Sequence, residues 1–345
     1  MGKDRSKYIK PKKSLHTQAY EQLMGMLALG NSKRADKQSE AGIVGKIYTG
    51  STYRTYKKHI GYFIDWIRQE HPEVKTLKQA KKYVNAWLQI RVNSKNTSGE
   101  YLSAWTIQTE QAALNKLYGI RPDDPDRFQA PKRLRENIKR SRGAKVRDKH
   151  FSEKANEELI NFCKGCGLRR QVLERLRGRD LMTHDEVVVA LAEAEKKQNS
   201  AMIRACRDAL EYFPDQDYFV IHRKDKGGRT RISPIVGPHK NKIVERMQAT
   251  APDDLVWQYV SANCDVHGYR SDYATYLYKL YARPIEELDY SHKILCADGK
   301  MRSEIYVCRK DEKQKKLDRL AIRTISKALG HNREDTAIAS YIRNI

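Results

Sequence analysis

Tyr341 stands ten positions beyond Gly330-His331 (341 − 331), at the edge of a predicted helix and close to the last residue of the sequence. Such a tyrosine is poorly placed for core packing and well placed for a nucleophile that reaches into a site. It would need groups that hold charge and move protons, and candidates occur upstream. Arg169 follows Gly167-Leu168 at a predicted helix end, and Arg270 lies in His267-Gly268-Tyr269-Arg270. There the i, i+3 spacing puts His267 and Arg270 on one helix face while Tyr273, Ala274 and Leu277 point to the core. Two planar, permanently charged guanidiniums can hold both non-bridging oxygens of a phosphate and neutralise the charge that grows on a pentacoordinate phosphorus. Lys226, on a Gly227-Gly228 turn between strands and flanked by Arg229 and Arg231, adds a proton donor able to reach a minor groove or a leaving oxygen. Taken singly, each has a plainer reading: a surface arginine, a loop lysine, structural or solvated histidines.

The composition says what such a set would act on. The chain has 345 residues, 67 Lys and Arg against 43 Asp and Glu, and a formal net charge of +24. That excess exceeds what solubility needs and implies a polyanionic partner, nucleic acid first. No run approaches the roughly 20 apolar residues of a membrane span, and the basic N-terminus lacks the apolar segment of a signal peptide, so a cytoplasmic protein is expected. Six cysteines are too sparse for a disulfide scaffold, and Cys163-Lys164-Gly165-Cys166 has no second pair at zinc spacing. They read as reduced thiols.

The elements that must position these residues fall into two parts. A basic arm, 1–13, carries Lys3, Arg5, Lys7, Lys10, Lys12 and Lys13. From 14 to 122 four apolar stripes at helical spacing predict a small helical domain: Ala19 to Leu27, Tyr53 to Ile67, Leu77 to Leu88, and Ile107 to Leu117. Ser51 or Thr52, and Thr76, are its predicted N-caps, and its aromatics fall at core spacing. A linker, 123–151, follows Pro122. From Lys132 to Lys149 it holds nine Lys and Arg, among them Arg133, Arg135, Lys139, Arg140 and Arg142, against Glu136 and Asp148. A basic tether of this kind suits a chain that clamps a duplex. From 152 to 345 the pattern is mixed: a charged helical stretch over 184–212, a hairpin turning at 225–228, a second hairpin within 293–309 turning at Asp298-Gly299, and a last helix ending at Leu329-Gly330. The fold class expected is mainly α with a small antiparallel β-sheet, a helical N-terminal domain plus an α+β C-terminal domain.

In order, Gly167-Leu168-Arg169, Lys226 to Ile235, His267-Gly268-Tyr269-Arg270 with Tyr273-Ala274-Thr275, Leu329-Gly330-His331 and Tyr341 resemble the active-site boxes of the tyrosine site-specific recombinases, the integrases of phages and integrative conjugative elements. The boxes span about 165 to the C-terminus; the N-terminal half resembles the family's SAM-like core-binding domain by pattern only. The resemblance implies that Arg169 and Arg270 bind the scissile phosphate and that Lys226 protonates the leaving 5′-oxygen. His267 would accept the tyrosine proton, His331 would support the transition state, and Tyr341 would attack to leave a 3′-phosphotyrosyl bond. It implies no metal or nucleotide cofactor. The implied partners are double-stranded DNA recombination sites, further copies of the chain (a dimer on a site, a tetramer in synapsis), and an excision factor or DNA-bending protein, in a bacterial, nucleoid-associated setting. Lys132, Arg133, Arg135, Lys139, Arg140, Arg142, Arg229 and Arg231 are the expected DNA contacts.

The sequence departs from the family pattern in several places. Three residues after its first arginine the family carries a carboxylate, where this chain has Val172, with Glu174 the nearest acid; after its second it often carries a histidine, where this chain has Ser271. Residues 184–212 and 284–318 look like additions to a minimal catalytic domain. Only four residues follow Tyr341, too few for the helix that joins protomers in many relatives, so assembly is expected to use the tyrosine segment, the insertions or the basic arm. Two rival readings share the chemistry or the fold: a type IB topoisomerase, and a non-catalytic DNA-binding protein.

Overall fold

The computed structural model describes residues 13–39, 42–43, 45–134, 151–225, 228–296, 299–308, 314–331 and 334–342. Lys226, Arg135, Lys139, Arg140 and Arg142, most of the basic arm and linker, and the last three residues lie outside them. The chain divides into two compact units, Met1–Arg133 and Leu134–Ile345. As expected, it is mainly helical with small antiparallel sheets.

The first unit is built from α1 (Leu15–Gly25), α2 (Lys33–Gln38), α3 (Gly50–Glu70), α4 (Leu77–Ala80), α5 (Val84–Asn93) and α6 (Ala104–Tyr118). Ile60, Phe63, Ile64 and Ile67 of α3 are all fully buried, and each such side chain contributes about 1.5–3 kcal/mol by leaving water. Thr76 caps α4 through a capping box with Gln79. For α3 the cap is Thr49, whose hydroxyl accepts from the Thr52 amide, rather than the expected Ser51 or Thr52. Those two already have helical neighbours on both sides, and Thr49 is the last extended residue. Glu110, on α6, is wholly buried and takes a two-pronged hydrogen bond from Arg91 at 2.8 and 2.9 Å, with His59 at 3.3 Å. Burial alone would raise its carboxyl pKa; His59 and Arg91 outweigh that and hold it below the usual value. The start of the expected linker packs on this unit. Asn85 donates to Asp126 O at 2.8 Å, Gln108 to Pro131 O at 2.6 Å, and the Arg133 guanidinium lies 5.7 Å from the Trp105 ring centre.

The second unit contains α7 (Glu157–Cys166), α8 (Arg170–Leu173), β1 (Leu181–Thr183), α9 (His184–Lys196), α10 (Ser200–Tyr212), β2 (Tyr218–Asp225), β3 (Arg229–Pro234), α11 (Lys240–Ala249), α12 (Val266–Tyr281), β4 (Lys293–Leu295), β5 (Met301–Ser303), β6 (Ile305–Val307), β7 (Lys316–Asp318), α13 (Arg319–Ala328) and α14 (Glu334–Ser340). The β2–β3 hairpin lies where the Gly turn predicted it, with β1 added on the outer side of β2. The second predicted hairpin is shorter than expected: β4 pairs with β5, while 305–307 turns away to pair with 316–318 as a third small sheet. The stretch 184–212 is two helices, and the second is no peripheral addition. Ala205, Cys206, Ala209 and Tyr212 of α10 are buried in one core with Phe219, Ile221, Ile232, Ile322 and Ile325. All six cysteines are buried.

Candidate active site

Gly167 ends α7 in the left-handed region at φ 57°, and Arg169 follows in extended conformation as the residue before α8. A Cβ at Gly167 would overlap the ring of Tyr273, so glycine is required twice there, for the turn and for the close approach of α12. The tight turn presents the Arg169 side chain to the end of α13. Arg270 reaches the same place from α12 and is almost fully buried, at 1% exposure. Its guanidinium donates to the carbonyls of Gly167 and Leu329, while Arg169 Nη2 donates to Leu329 O at 3.3 Å. Arg231 Nη1 donates to Ala328 O. Three guanidiniums therefore gather at the C-terminal carbonyls of α13, the negative end of the helix dipole, where the last C=O groups have no intrahelical donor.

A carboxylate answers two of them. Asp225 Oδ2 pairs with Arg169 Nη1 and accepts from Arg231 Nε at 2.9 Å. A register shift between His222 and Asp225, with Lys224 at φ 50°, bulges β2 and turns Asp225 inward. Burial alone would raise the Asp225 carboxyl, but the Arg231 charge and the hydrogen bonds from both arginines hold it far below the usual carboxylate range. Val172, at the position of the absent carboxylate, is buried among apolar side chains. Arg169 thus takes its support from the hairpin instead. Sequence reasoning placed Asp225 only as a turn residue; the missing acid near Arg169 was the signal that another had to be found.

The three guanidiniums have more donors than these partners take up. Arg270 Nε and Arg231 Nη2 are buried with no hydrogen-bond partner among the described residues. The Arg270 pKa is pushed down to about 9, by burial first and then by the charges of Arg231 and Arg169, with Tyr341 acting the other way. A cavity of about 100 Å³ opens beside these groups, reached by Arg169, Arg229, Arg231, Lys327 and His331.

Tyr341 is 6% exposed, contrary to the expectation that it lies outside the core; the end of α14 tucks it against α12 and α13. Its ring centre is 5.2 Å from that of His267 and 5.2 Å from that of His331, and the Arg270 guanidinium carbon is 5.3 Å from it. His267 is exposed and His331 half-buried. Arg169, His267, Arg270, His331 and Tyr341 are therefore brought to one place. Arg231, expected to meet DNA, is 6% exposed and committed to Asp225 and Ala328; Arg229, Lys132 and Arg133 are exposed. Sequence reasoning quoted Thr275 within a box without a role and noted Ser271 only as a departure. Ser271 Oγ donates to Tyr341 O, and Thr275 Oγ1 lies 3.5 Å from the same oxygen.

No protein-family model matches the chain, and no curated protein matches it. Among solved structures, the crystal structure of XerA recombinase is similar over 95% of this chain and 94% of that chain, at 14% identity and a TM-score of 0.26. A likeness so distant assigns no role to any residue. No described helix is long and apolar enough to cross a membrane.

Proposed function

We propose that the chain is a tyrosine recombinase that cleaves and rejoins double-stranded DNA through a 3′-phosphotyrosyl intermediate, as an integrase of a mobile element. The observation that carries this reading is the seating of Tyr341 between His267, His331 and the buried Arg270, beside Arg169. In this reading Arg169 and Arg270 bind the non-bridging oxygens of the scissile phosphate, and the spare guanidinium donors take the charge that grows there. The Tyr341 hydroxyl oxygen bonds to phosphorus as the bond from phosphorus to the 5′-oxygen breaks. The tyrosine proton passes to His267, and Lys226 supplies a proton to the leaving 5′-oxygen. Because a phosphodiester replaces a phosphodiester, a 5′-hydroxyl from another strand can reverse the step. The basic segment 132–149, with Arg229, follows the phosphates on either side.

A substrate nicked near the scissile phosphate tests this. Once the short 5′-hydroxyl fragment diffuses away, the wild-type chain should accumulate a covalent DNA adduct and Tyr341→Phe none. An adduct of equal yield in both would remove Tyr341 from the reaction. Relaxation of a plasmid that lacks any recombination site would instead favour a topoisomerase.

A further inference from the structure

The segment 284–318 holds a second concave site that shares no lining residue with the cavity beside Arg169. It is a cleft of about 660 Å³ set between the β4–β5 and β6–β7 hairpins. Lys293, Arg302, Lys316 and Arg319 line it together with Tyr290 and Tyr306, and the described residues lining it include no Asp or Glu. Among the described residues nearby, Glu304 and Asp318 bind Arg283 at 3.0 and 2.9 Å, and Glu334 pairs with the lining Arg319 at 2.7 Å. Arg319 is thereby fixed as a buried floor, with its guanidinium 5.2 Å from the Tyr306 ring centre. Lys293 and Lys316 are exposed, and Tyr290 is 59% exposed. Exposed lysines over a fixed guanidinium, with tyrosines beside them, match the side chains that proteins aim at sugar and phosphate oxygens.

The cleft and the arginine site lie at opposite ends of one helix. Arg319 opens α13, and the carbonyls of Ala328 and Leu329, which hold the three site arginines, close it. At a rise of 1.5 Å per residue the two ends are about 15 Å apart, the axial length of roughly four or five base pairs. We infer that this cleft is a second nucleic-acid contact, taking backbone phosphates of a duplex a few base pairs from the phosphate held at Arg169 and Arg270. It rests on the reading above in that duplex DNA is the ligand, and it gives the segment 284–318 a function separate from the chemistry.

Binding of the full chain to a long mixed-sequence duplex, followed by fluorescence anisotropy across a salt series, tests the inference without requiring cleavage. Replacing Lys293 and Lys316 by Gln should lower the slope of log affinity against log salt by about 1 for each lysine, weakening binding alike on all sequences. Lys196→Gln with Lys279→Gln, an equal charge change on α9 and α12, should leave the slope near wild type. An unchanged slope in the cleft variant, or the same loss in both pairs, would overturn the inference. Failure of the wild-type chain to bind duplex at any salt would instead overturn the reading beneath it. Melting temperatures near wild type in both pairs show that the folded chain is being compared.

Discussion

Ser271 Oγ donates to the main-chain carbonyl of Tyr341 at 2.5 Å in a buried contact. Ser271 follows Arg270 directly and lies one helical turn beyond His267, so the tyrosine backbone is referenced to the same rigid helix that presents two of its partners. Thr275, a turn further on, faces the same oxygen. Ser271→Ala removes one buried hydrogen bond, worth about 1 kcal/mol. The rate of adduct formation on the nicked substrate should fall by a factor of about five to ten, with global stability lowered by a similar small amount. Ser271→Thr, which keeps the hydroxyl, should restore most of the rate. A rate unchanged in the alanine variant would show that this bond does not position Tyr341.

Asp225→Asn keeps the shape of the side chain and removes the carboxylate that Arg169 and Arg231 share. Breaking a buried pair from one side costs about 3–5 kcal/mol, seen as a lower urea midpoint at neutral pH. The carboxyl is depressed in the folded chain, so its stabilising contribution is present above the ordinary value of 3.8 and is lost as pH falls below it. The variant has no such contribution to lose, and its stability should fall less steeply than wild type below about pH 3.8. Parallel acid profiles for the two chains would mean that Asp225 does not carry this charge.

How much of this arrangement was legible in the sequence depends on whether a residue acts locally or through the fold. The i, i+3 spacing of His267 and Arg270, the glycine turn after Asp225 and the glycine before Leu168-Arg169 are local patterns, and the structure has a helix, a hairpin and a left-handed turn there. The burial of Tyr341 was not legible, because a polar-tipped ring near a chain end gives no periodic signal and much of its cover comes from α12, 60 to 75 residues upstream. Asp225 was hidden for a related reason. Its inward direction comes from a bulge in β2, and a strict alternation along the strand does not reveal a bulge. Residues 184–212 read as an addition because the interval before the hairpin is longer than a minimal catalytic domain requires, yet α10 keeps one narrow face of Ala205, Cys206 and Ala209 against β3 and α13.

Gly167→Ala should be among the most destabilising single changes in the second unit. The left-handed backbone costs a side-chain-bearing residue about 1–2 kcal/mol, and forcing a methyl against the buried Tyr273 ring adds about 1–3 kcal/mol of overpacking. An unfolding free energy lowered by less than about 1 kcal/mol in urea would show that α7 and α12 can part at little cost. Gly330→Ala offers a contrast. Its added Cβ would lie 2.7 Å from Arg231 Cδ, a side chain rather than a ring, so it should disturb the arginine cluster more than the core.

The buried arginines make the free chain a receptor for small oxyanions. Burial and mutual repulsion press the Arg270 pKa down to about 9, so at neutral pH the group stays charged at a cost to the folded state. An anion that accepts from Arg270 and Arg169 offsets that cost, and one present at a hundred times its dissociation constant stabilises by about 2.7 kcal/mol. Inorganic phosphate should therefore raise the melting temperature above that in sodium chloride of equal ionic strength. A guanidinium keeps its charge over the working pH range, so the gain from phosphate should not be lost between about pH 7 and 9. Arg270→Gln should abolish most of the gain at neutral pH, which separates occupancy of the site from the general exclusion of phosphate from protein surfaces. Equal gains in wild type and Arg270→Gln would place the anion elsewhere and leave the three guanidiniums without a ligand of that charge.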